Sequence, residues 1–348
     1  MKLKESLLGP VSPSLTTRLA GPDLIRVVAA LFVILIHVSC QGFYSFSDFW
    51  IVCVKFDSAA RMAVPLFFLL SGYFLFSDKP PMLLASFLKR RFSRILIPLI
   101  LTFVIYLVVR HWTFSDWIHR IFTGQISFHL WFMYALVGLY LAVLLFQPLF
   151  TTEAGRKIAL YYVVLWLCCA VFYAYAKRYF GLSFNPFGQF NFHYFFGFMG
   201  FFFTGGLLRR VRVTLCWRWF WALVCVLATV LIYRFTKSWS LSLGSPNELF
   251  LRISRLLSFC RPSPFFLALK DIKLESALLT FVAEHTYWIY LVHMLAMGVL
   301  QKYTGLYVNV HTALHIVLIT VGTFVLAFIV SIPLYLFEKT LVRCLHLR

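Results

Sequence analysis

Long apolar runs dominate the chain, and short polar segments separate them. Several runs reach about 20 residues, the length that an α-helix needs to cross the hydrocarbon core of a bilayer. Because the intervening segments are short, the pattern leaves no room for a sizeable soluble domain. It predicts ten transmembrane helices, at residues 24–43, 59–76, 95–109, 130–150, 158–176, 193–208, 219–233, 249–269, 277–300 and 312–337.

The eighth predicted span, 249–269, is the least regular of the ten. Arg252, Arg255 and Arg261 interrupt its apolar run. Charged side chains at membrane depth need water, a carboxylate or a phosphate as a partner. This segment is therefore the one whose passage through the membrane is least well supported by its sequence.

Composition supports lipid as the surroundings of the chain. Of its 348 residues, 61% are hydrophobic and only 13% are charged, whereas soluble domains average about 25% charged residues. Helices suit a lipid environment because their backbone hydrogen bonds are satisfied internally. The sequence thus predicts an all-α membrane protein, a polytopic bundle of about ten transmembrane helices.

The net charge of +20 indicates an orientation in the membrane rather than a nucleic-acid partner. Polytopic membrane proteins retain the loops that are rich in lysine and arginine in the cytoplasm. Nineteen such residues fall on the side that holds both termini, against eight in the loops of the other side. Both termini are therefore predicted to be cytoplasmic, with a cytoplasmic N-terminal segment at 1–20, a transmembrane domain at 21–340 and a cytoplasmic tail at 341–348.

The first predicted span carries two polar groups on one stripe. In RVVAALFVILIH, Arg26 and His37 are eleven positions apart, which on a helix is about 20° more than three turns and about 16 Å of rise. Ionisable groups at such depth usually face the bundle interior or a wet cavity, and imidazole accepts protons near neutral pH. His37 is thus a candidate general base. The alternatives are that Arg26 only anchors the helix at the membrane surface and that His37 only packs.

The third predicted span opens with the basic sequence KRRFSR. Arg91 and Arg94 lie three residues apart and so share one side of a helix. Arginine has planar, forked donors that suit phosphate oxygens, which makes the pair a candidate phosphate site. Simple cytoplasmic anchoring is the alternative. No Walker loop or dinucleotide fingerprint accompanies the pair, so any phosphate would be bound by side chains.

Two further histidines are candidates for contact with a substrate. His129, in FHLWF, starts the fourth span on the external side, where Trp131 beside it would serve equally well as an interfacial anchor. His293, in YLVHML, lies well inside the ninth span and is a second candidate for a cavity-lining base. The sequence contains no evident metal-ligand cluster and no Gly-x-Ser-x-Gly elbow, so neither a metal nor a serine nucleophile is predicted.

Taken together, these motifs resemble the acyltransferase 3 family of integral-membrane O-acyltransferases, and within it the type that acetylates the enterobacterial common antigen. The similarity runs in order from about residue 20 to residue 340. The matching sequences are DLIRVVAALFVILIH, VPLFFLLSGYFLF, RFSR, HLWFMYALVGLYL, WIYLVHML and PLYLFEK.

The resemblance implies a ten-helix enzyme of the bacterial inner membrane. It would move an acetyl group from cytoplasmic acetyl-CoA to a hydroxyl of a cell-surface or lipid-linked glycan. His37 would be catalytic with Arg26 as its motif partner, while Arg91 and Arg94 would stand at the donor entrance. The expected partners are acetyl-CoA, a glycan acceptor contacted by His129 and His293, and membrane lipid; no metal is expected.

Two other classes of function remain open at this stage. A polar stripe within ten spans also suits a transporter that exports a glycan or an acylated intermediate, and such a protein would move its substrate without acyl transfer. A structural membrane subunit would tolerate replacement of His37. The combination of the Arg–His pair with the Arg-x-x-Arg motif favours the enzyme.

Overall fold

The computed structural model describes residues 20–46, 49–76, 84–124, 126–179, 193–248, 251, 259–304 and 312–345. The regular structure of these residues is helical, which confirms the predicted all-α class. A 3-10 turn, Phe128–Leu130, precedes α6. The α-helices are α1 (Ala20–Ser45), α2 (Trp50–Ala60), α3 (Ala63–Leu75), α4 (Leu84–Val109), α5 (Phe114–Thr123), α6 (Trp131–Phe146), α7 (Pro148–Thr151), α8 (Glu153–Tyr179), α9 (His193–Leu208), α10 (Leu215–Leu243), α11 (Pro262–Leu269), α12 (Ala277–Thr304) and α13 (Ala313–Cys344).

Five helical segments among the described residues are long and apolar enough to cross a membrane. They are α1, the α2–α3 segment Trp50–Leu75, the segment Phe128–Phe146, α10 and α13. Shorter apolar helical stretches lie at Ser93–Val109 in α4 and Gly197–Leu208 in α9. The protein is therefore a multi-pass membrane protein, whereas the number ten and the cytoplasmic location of both termini stay predictions.

The eighth predicted span contains only a short regular helix in the described part of the chain. Helix α11 has eight residues, which is about 12 Å of rise against a hydrocarbon core of about 30 Å. Arg261, directly before α11, is 1% exposed and donates a hydrogen bond to the carbonyl oxygen of Ser58 in α2. Its partner is thus the protein backbone, while Arg252 and Arg255 lie outside the described residues.

Helix α1 lies at the centre of the bundle. It packs against α2, α3, α11, α12 and α13, and its apolar residues Ile25, Ala29, Val33 and Val38 are at most 3% exposed. The helix that carries the Arg–His pair is therefore enclosed by protein on several sides. Its polar side chains meet residues from distant parts of the chain rather than lipid alone.

Glycines bring α3 and α9 into backbone contact. A Cβ atom at Gly72 of α3 would lie 1.8 Å from the carbonyl oxygen of Phe202, and one at Gly205 of α9 would lie 2.0 Å from the carbonyl oxygen of Leu69. Small residues permit such close approach between membrane helices, and the sequence GFMGFFFTGG predicts it. The contact fixes α3, whose last turns line the cavities described below.

Replacing Gly72 with alanine is expected to lower the thermal unfolding midpoint of the detergent-purified protein. The added methyl group must push a backbone carbonyl away, and overpacking of this kind costs about 1–3 kcal/mol. Gly298→Ala in α12 is the matched control, because a Cβ atom there meets nothing within 4 Å. An unchanged midpoint for Gly72→Ala would contradict the close contact of the two helices.

Candidate active site

Three histidines from three parts of the chain meet inside the bundle. The ring centroids of His37 in α1 and His293 in α12 are 5.2 Å apart and the rings are stacked. His129, in the 3-10 turn before α6, lies 4.8 Å from His293 and 6.4 Å from His37 between ring centroids. The sequence suggested each histidine separately, and the structure places all three in one cluster.

Protein rings surround His37 on more than one side. Besides the stacked ring of His293, the ring of Phe128 lies edge-on to His37 with centroids 5.1 Å apart. Phe128 itself is 64% exposed, so the cluster lies close to the surface at this point. His37 is partly buried and contacts other side chains of the site rather than pointing only at lipid.

Hydrogen bonds assign different roles to the ring nitrogens of His129 and His293. In His129, Nε2 lies 3.4 Å from the carbonyl oxygen of Leu291 and Nδ1 lies 2.8 Å from the hydroxyl oxygen of Ser127. Because a carbonyl oxygen can only accept, Nε2 of the neutral ring carries the hydrogen and Nδ1 accepts from Ser127. Both nitrogens of His129 are therefore bound by the protein.

His293 differs, because one of its nitrogens is left for a ligand. Its Nδ1 lies 2.6 Å from the carbonyl oxygen of Tyr290 and so donates a hydrogen. In the neutral ring, Nε2 is then an acceptor. This Nε2 atom is buried and has no hydrogen-bond partner among the described residues. A buried acceptor without a partner is costly unless something occupies it, which makes His293 a candidate contact for a substrate hydroxyl.

A cavity of ≈ 780 Å³, the outer cavity, opens at the end of the bundle where α1 begins. Its lining is rich in charge and in aromatic rings and draws on α1, α3, α4, α12 and α13. Three arginines and three carboxylates take part in it. They are Arg26, Arg94, Arg209, Asp23, Glu284 and Glu338.

A second cavity of ≈ 430 Å³, the inner cavity, adjoins the outer one. Its lining is mainly aromatic and apolar, and it reaches Tyr290. The Tyr290 ring centroid is 5.7 Å from that of His293, and its hydroxyl donates to the carbonyl oxygen of His129. The two cavities thus extend from the start of α1 to Tyr290, whose ring lies beside His129 and His293. Both are lined by Arg26, Phe74, Arg94, Thr286 and Tyr287.

Two of the arginines suggested by the sequence, Arg26 and Arg94, line the cavities and do not belong to the histidine cluster. Nη1 of Arg26 lies 2.7 Å from Oδ1 of Asp23, and its guanidinium carbon lies 4.7 Å from the ring centroid of Phe74. Arg26 and His37 are about 16 Å apart along α1, so the structure does not bring the predicted Arg–His pair into contact. Arg94 lines both cavities.

Arg91 lies in helix α4, one turn before Arg94. The Arg-x-x-Arg motif is therefore helical, as its spacing predicts. The side chain of Arg91 lies outside the described part of the structure, so its position relative to the cavities stays a prediction.

An ion-pair network that the sequence did not reveal lies toward the other end of α1. Nε of Arg61 is 2.9 Å from Oδ2 of Asp57, and Nη2 of Arg61 is 2.8 Å from Oε1 of Glu248. From α1, the Tyr44 hydroxyl donates to Glu248, and Sγ of Cys40 is 3.7 Å from Oδ1 of Asp57. The network joins α1, α2 and the segment after α10, one and two turns beyond His37.

A comparison with protein families identifies the family of this chain. The acyltransferase domain of the Acyl_transf_3 family matches residues 19–332, a range that includes the three histidines and the arginines of both cavities. No match to the chain is found among curated proteins or among solved structures. The chain therefore belongs to the acyltransferase 3 family and is a membrane acyltransferase.

Proposed function

We propose that the protein transfers an acetyl group from cytoplasmic acetyl-CoA to a hydroxyl of a cell-surface or lipid-linked glycan, in the inner membrane of a bacterium. Two connected cavities carry this proposal. They begin among three arginines and end at Tyr290, beside His129 and His293 of the histidine cluster. This arrangement suits a donor with phosphates at one end and a thioester at the end of a long arm.

On this proposal, the end of the bundle where α1 begins faces the cytoplasm, where acetyl-CoA is made. Arg26 and Arg94, with Arg91 one turn earlier on α4, attract and orient the anionic nucleotide end of the donor. The inner cavity accepts the pantetheine arm, because its lining includes apolar residues such as Phe67, Leu70 and Leu136. The thioester then arrives next to Tyr290.

His37 acts as the general base of the transfer. It removes the proton from the acceptor hydroxyl while the hydroxyl oxygen attacks the carbonyl carbon of the thioester. The new ester bond forms, the carbon–sulfur bond breaks, and the coenzyme A thiolate leaves and takes up a proton. Placing both substrates in one site supplies much of the acceleration. Direct transfer needs a single such step, and we favour it over an acyl-histidine intermediate.

The other two histidines bind the acceptor beside His37. The unpartnered Nε2 atom of His293 accepts a hydrogen bond from a sugar hydroxyl. His129 packs edge-on against His293, and its bonds to Ser127 and Leu291 hold it in one orientation. The acceptor hydroxyl thus meets one free imidazole acceptor and one imidazole base within the same cluster.

Acetyl transfer by the purified protein tests the proposal. Detergent-solubilised protein is incubated with radiolabelled acetyl-CoA and with surface glycan from cells that lack the gene. We expect label in the glycan and release of the free thiol of coenzyme A. The enterobacterial common antigen is the first acceptor to try, because the sequence motifs resemble enzymes of that type.

The competing transporter function predicts a different result. A transporter would move a glycan or an acylated intermediate across the membrane of a reconstituted vesicle, without incorporating acetyl groups. That outcome would contradict the enzyme. Mass spectrometry of the surface glycan from cells with and without the gene would identify the acetylated hydroxyl.

A further inference from the structure

Arg209 is a third arginine of the outer cavity, and no sequence motif distinguishes it. It directly follows α9 and lines the cavity together with Arg26 of α1 and Arg94 of α4. In the sequence it is one of several basic residues between two spans, where anchoring at the membrane surface is the ordinary interpretation. The structure instead brings three guanidinium groups from distant parts of the chain to one cavity.

Tyr73 holds Arg209 in the cavity wall. Nη1 of Arg209 donates to the carbonyl oxygen of Tyr73 at 2.8 Å, and the guanidinium carbon lies 5.6 Å from the centroid of the Tyr73 ring. Both contacts orient the group and neither neutralises it. Since a guanidinium has five N–H donors, most of them remain for a ligand.

Arg209 and Arg26 also differ in whether a carboxylate pairs with the guanidinium group. Arg26 is paired with Asp23, whereas Arg209 forms no salt bridge within the ranges that the structure describes. A cavity-lining guanidinium without a carboxylate partner is suited to an oxyanion. A phosphate group fits best, because its oxygens match the parallel donors of the fork.

The carboxylates of the outer cavity restrict where an anion can bind. Glu284 and Glu338 come from α12 and α13, which pack against each other. Arg209 instead directly follows α9, and its Nη1 atom donates to the carbonyl oxygen of Tyr73 in α3. A phosphate is repelled by the two glutamates and attracted to the arginines of α1, α4 and the end of α9. The outer cavity therefore favours a ligand that carries its negative charge toward Arg209.

We propose that Arg209 binds a phosphate of the acyl donor and so makes the enzyme selective for thioesters on a phosphorylated carrier. This inference rests on the proposed function, because it concerns the donor of that reaction. The thioester reacts next to Tyr290, at the far end of the inner cavity. Arg209 thus contributes to donor binding equally before and during the reaction, which affects KM rather than kcat.

Steady-state kinetics with two donors tests the assignment. Arg209→Ala is compared with the unaltered protein using acetyl-CoA and using S-acetylpantetheine, which has the same thioester arm and no phosphate. We expect KM for acetyl-CoA to rise about tenfold or more, as loss of a hydrogen bond to a charged group implies. We expect kcat with acetyl-CoA and KM for S-acetylpantetheine to stay unchanged.

Arg210→Ala is the matched control. Arg210 is the adjacent arginine and is exposed like Arg209, but it does not line either cavity, so its removal should leave KM for both donors unchanged. Arg209→Lys keeps the charge but not the fork, and we expect an intermediate KM for acetyl-CoA. This conservative variant also serves if Arg209→Ala does not fold, as judged by its thermal unfolding midpoint.

Three outcomes are distinguishable. An unchanged KM for acetyl-CoA in Arg209→Ala would overturn the assignment, since no phosphate contact would have been lost. An equal rise of KM for both donors would also overturn it, because Arg209 would then only shape the cavity. Absence of transfer from either donor by the unaltered protein would instead contradict the proposed function.

Discussion

Replacement of His37 with alanine is expected to reduce kcat for acetyl transfer by about 10²- to 10⁴-fold, the usual contribution of a general base. KM for acetyl-CoA should change little, because His37 lines neither cavity and lies about 16 Å along α1 from Arg26. The measurement is steady-state transfer of labelled acetyl groups to the glycan by detergent-purified protein. Western blotting of membranes confirms that the variant is produced and inserted.

Two further variants separate the chemical role of His37 from its packing. His37→Gln keeps a polar side chain of similar size but cannot take up a proton, so we expect a loss of kcat close to that of the alanine variant. His119→Ala removes an exposed histidine of α5, outside the cluster, and should leave kcat unchanged. Full activity in His37→Ala would remove His37 from the mechanism.

Removal of Arg61 is expected to produce the largest loss of stability. Arg61→Met leaves the fully buried carboxylate of Asp57 and the nearby carboxylate of Glu248 without their shared cation. Leaving buried charge uncompensated costs roughly 3–5 kcal/mol in measured cases. A markedly lower thermal unfolding midpoint in detergent is the expected result.

The spacing of Asp57 and Arg61 offers a matched control. Glu153 and Lys157 form an ion pair at the same i,i+4 spacing, but both side chains are 76% exposed, so Lys157→Met should barely change the midpoint. The double variant Asp57→Asn/Arg61→Met should be more stable than Arg61→Met alone, because one of the stranded charges is gone. Equal midpoints for these two variants would contradict the role assigned to the buried pair.

The apolar pattern predicts the bounds of two helices closely. The ninth predicted span, 277–300, corresponds to α12, Ala277–Thr304, and the sixth, 193–208, has the same bounds as α9. In both cases the predicted range starts at the first residue of the helix, although Glu284, His285 and His293 lie within the ninth span. The local sequence is therefore sufficient to locate these two helices.

The second span shows why the pattern fails elsewhere. The predicted range 59–76 omits α2, although Trp50–Leu75 as a whole is long and apolar enough to cross a membrane. Lys55 and Asp57 make this part look like a polar loop. The charge of Asp57 is acceptable inside the bundle because Arg61 compensates it. Arg61 also pairs with Glu248, which lies far away in sequence. A local window cannot detect such compensation.

The residues of the candidate site were likewise only partly predictable from the local sequence. His37, His129 and His293 stand out because ionisable side chains are rare within apolar spans, and the motifs around them suggested them together with their residue type. Their convergence depends on helix packing, which no spacing within one helix encodes. Arg209 was not suggested, because its sequence neighbours are also basic, and its place in the outer cavity and its contacts with Tyr73 appear only in the fold.

The position of Tyr290 also has a consequence for the cell. A water-filled passage that ran through the whole protein would let ions flow down their gradients and discharge the membrane. Tyr290 is nearly fully buried, and its ring and hydroxyl close the inner cavity against the turn that carries His129. In the proposed reaction the acyl group passes from one carrier to the other at this point, so the reaction needs no open channel through the protein.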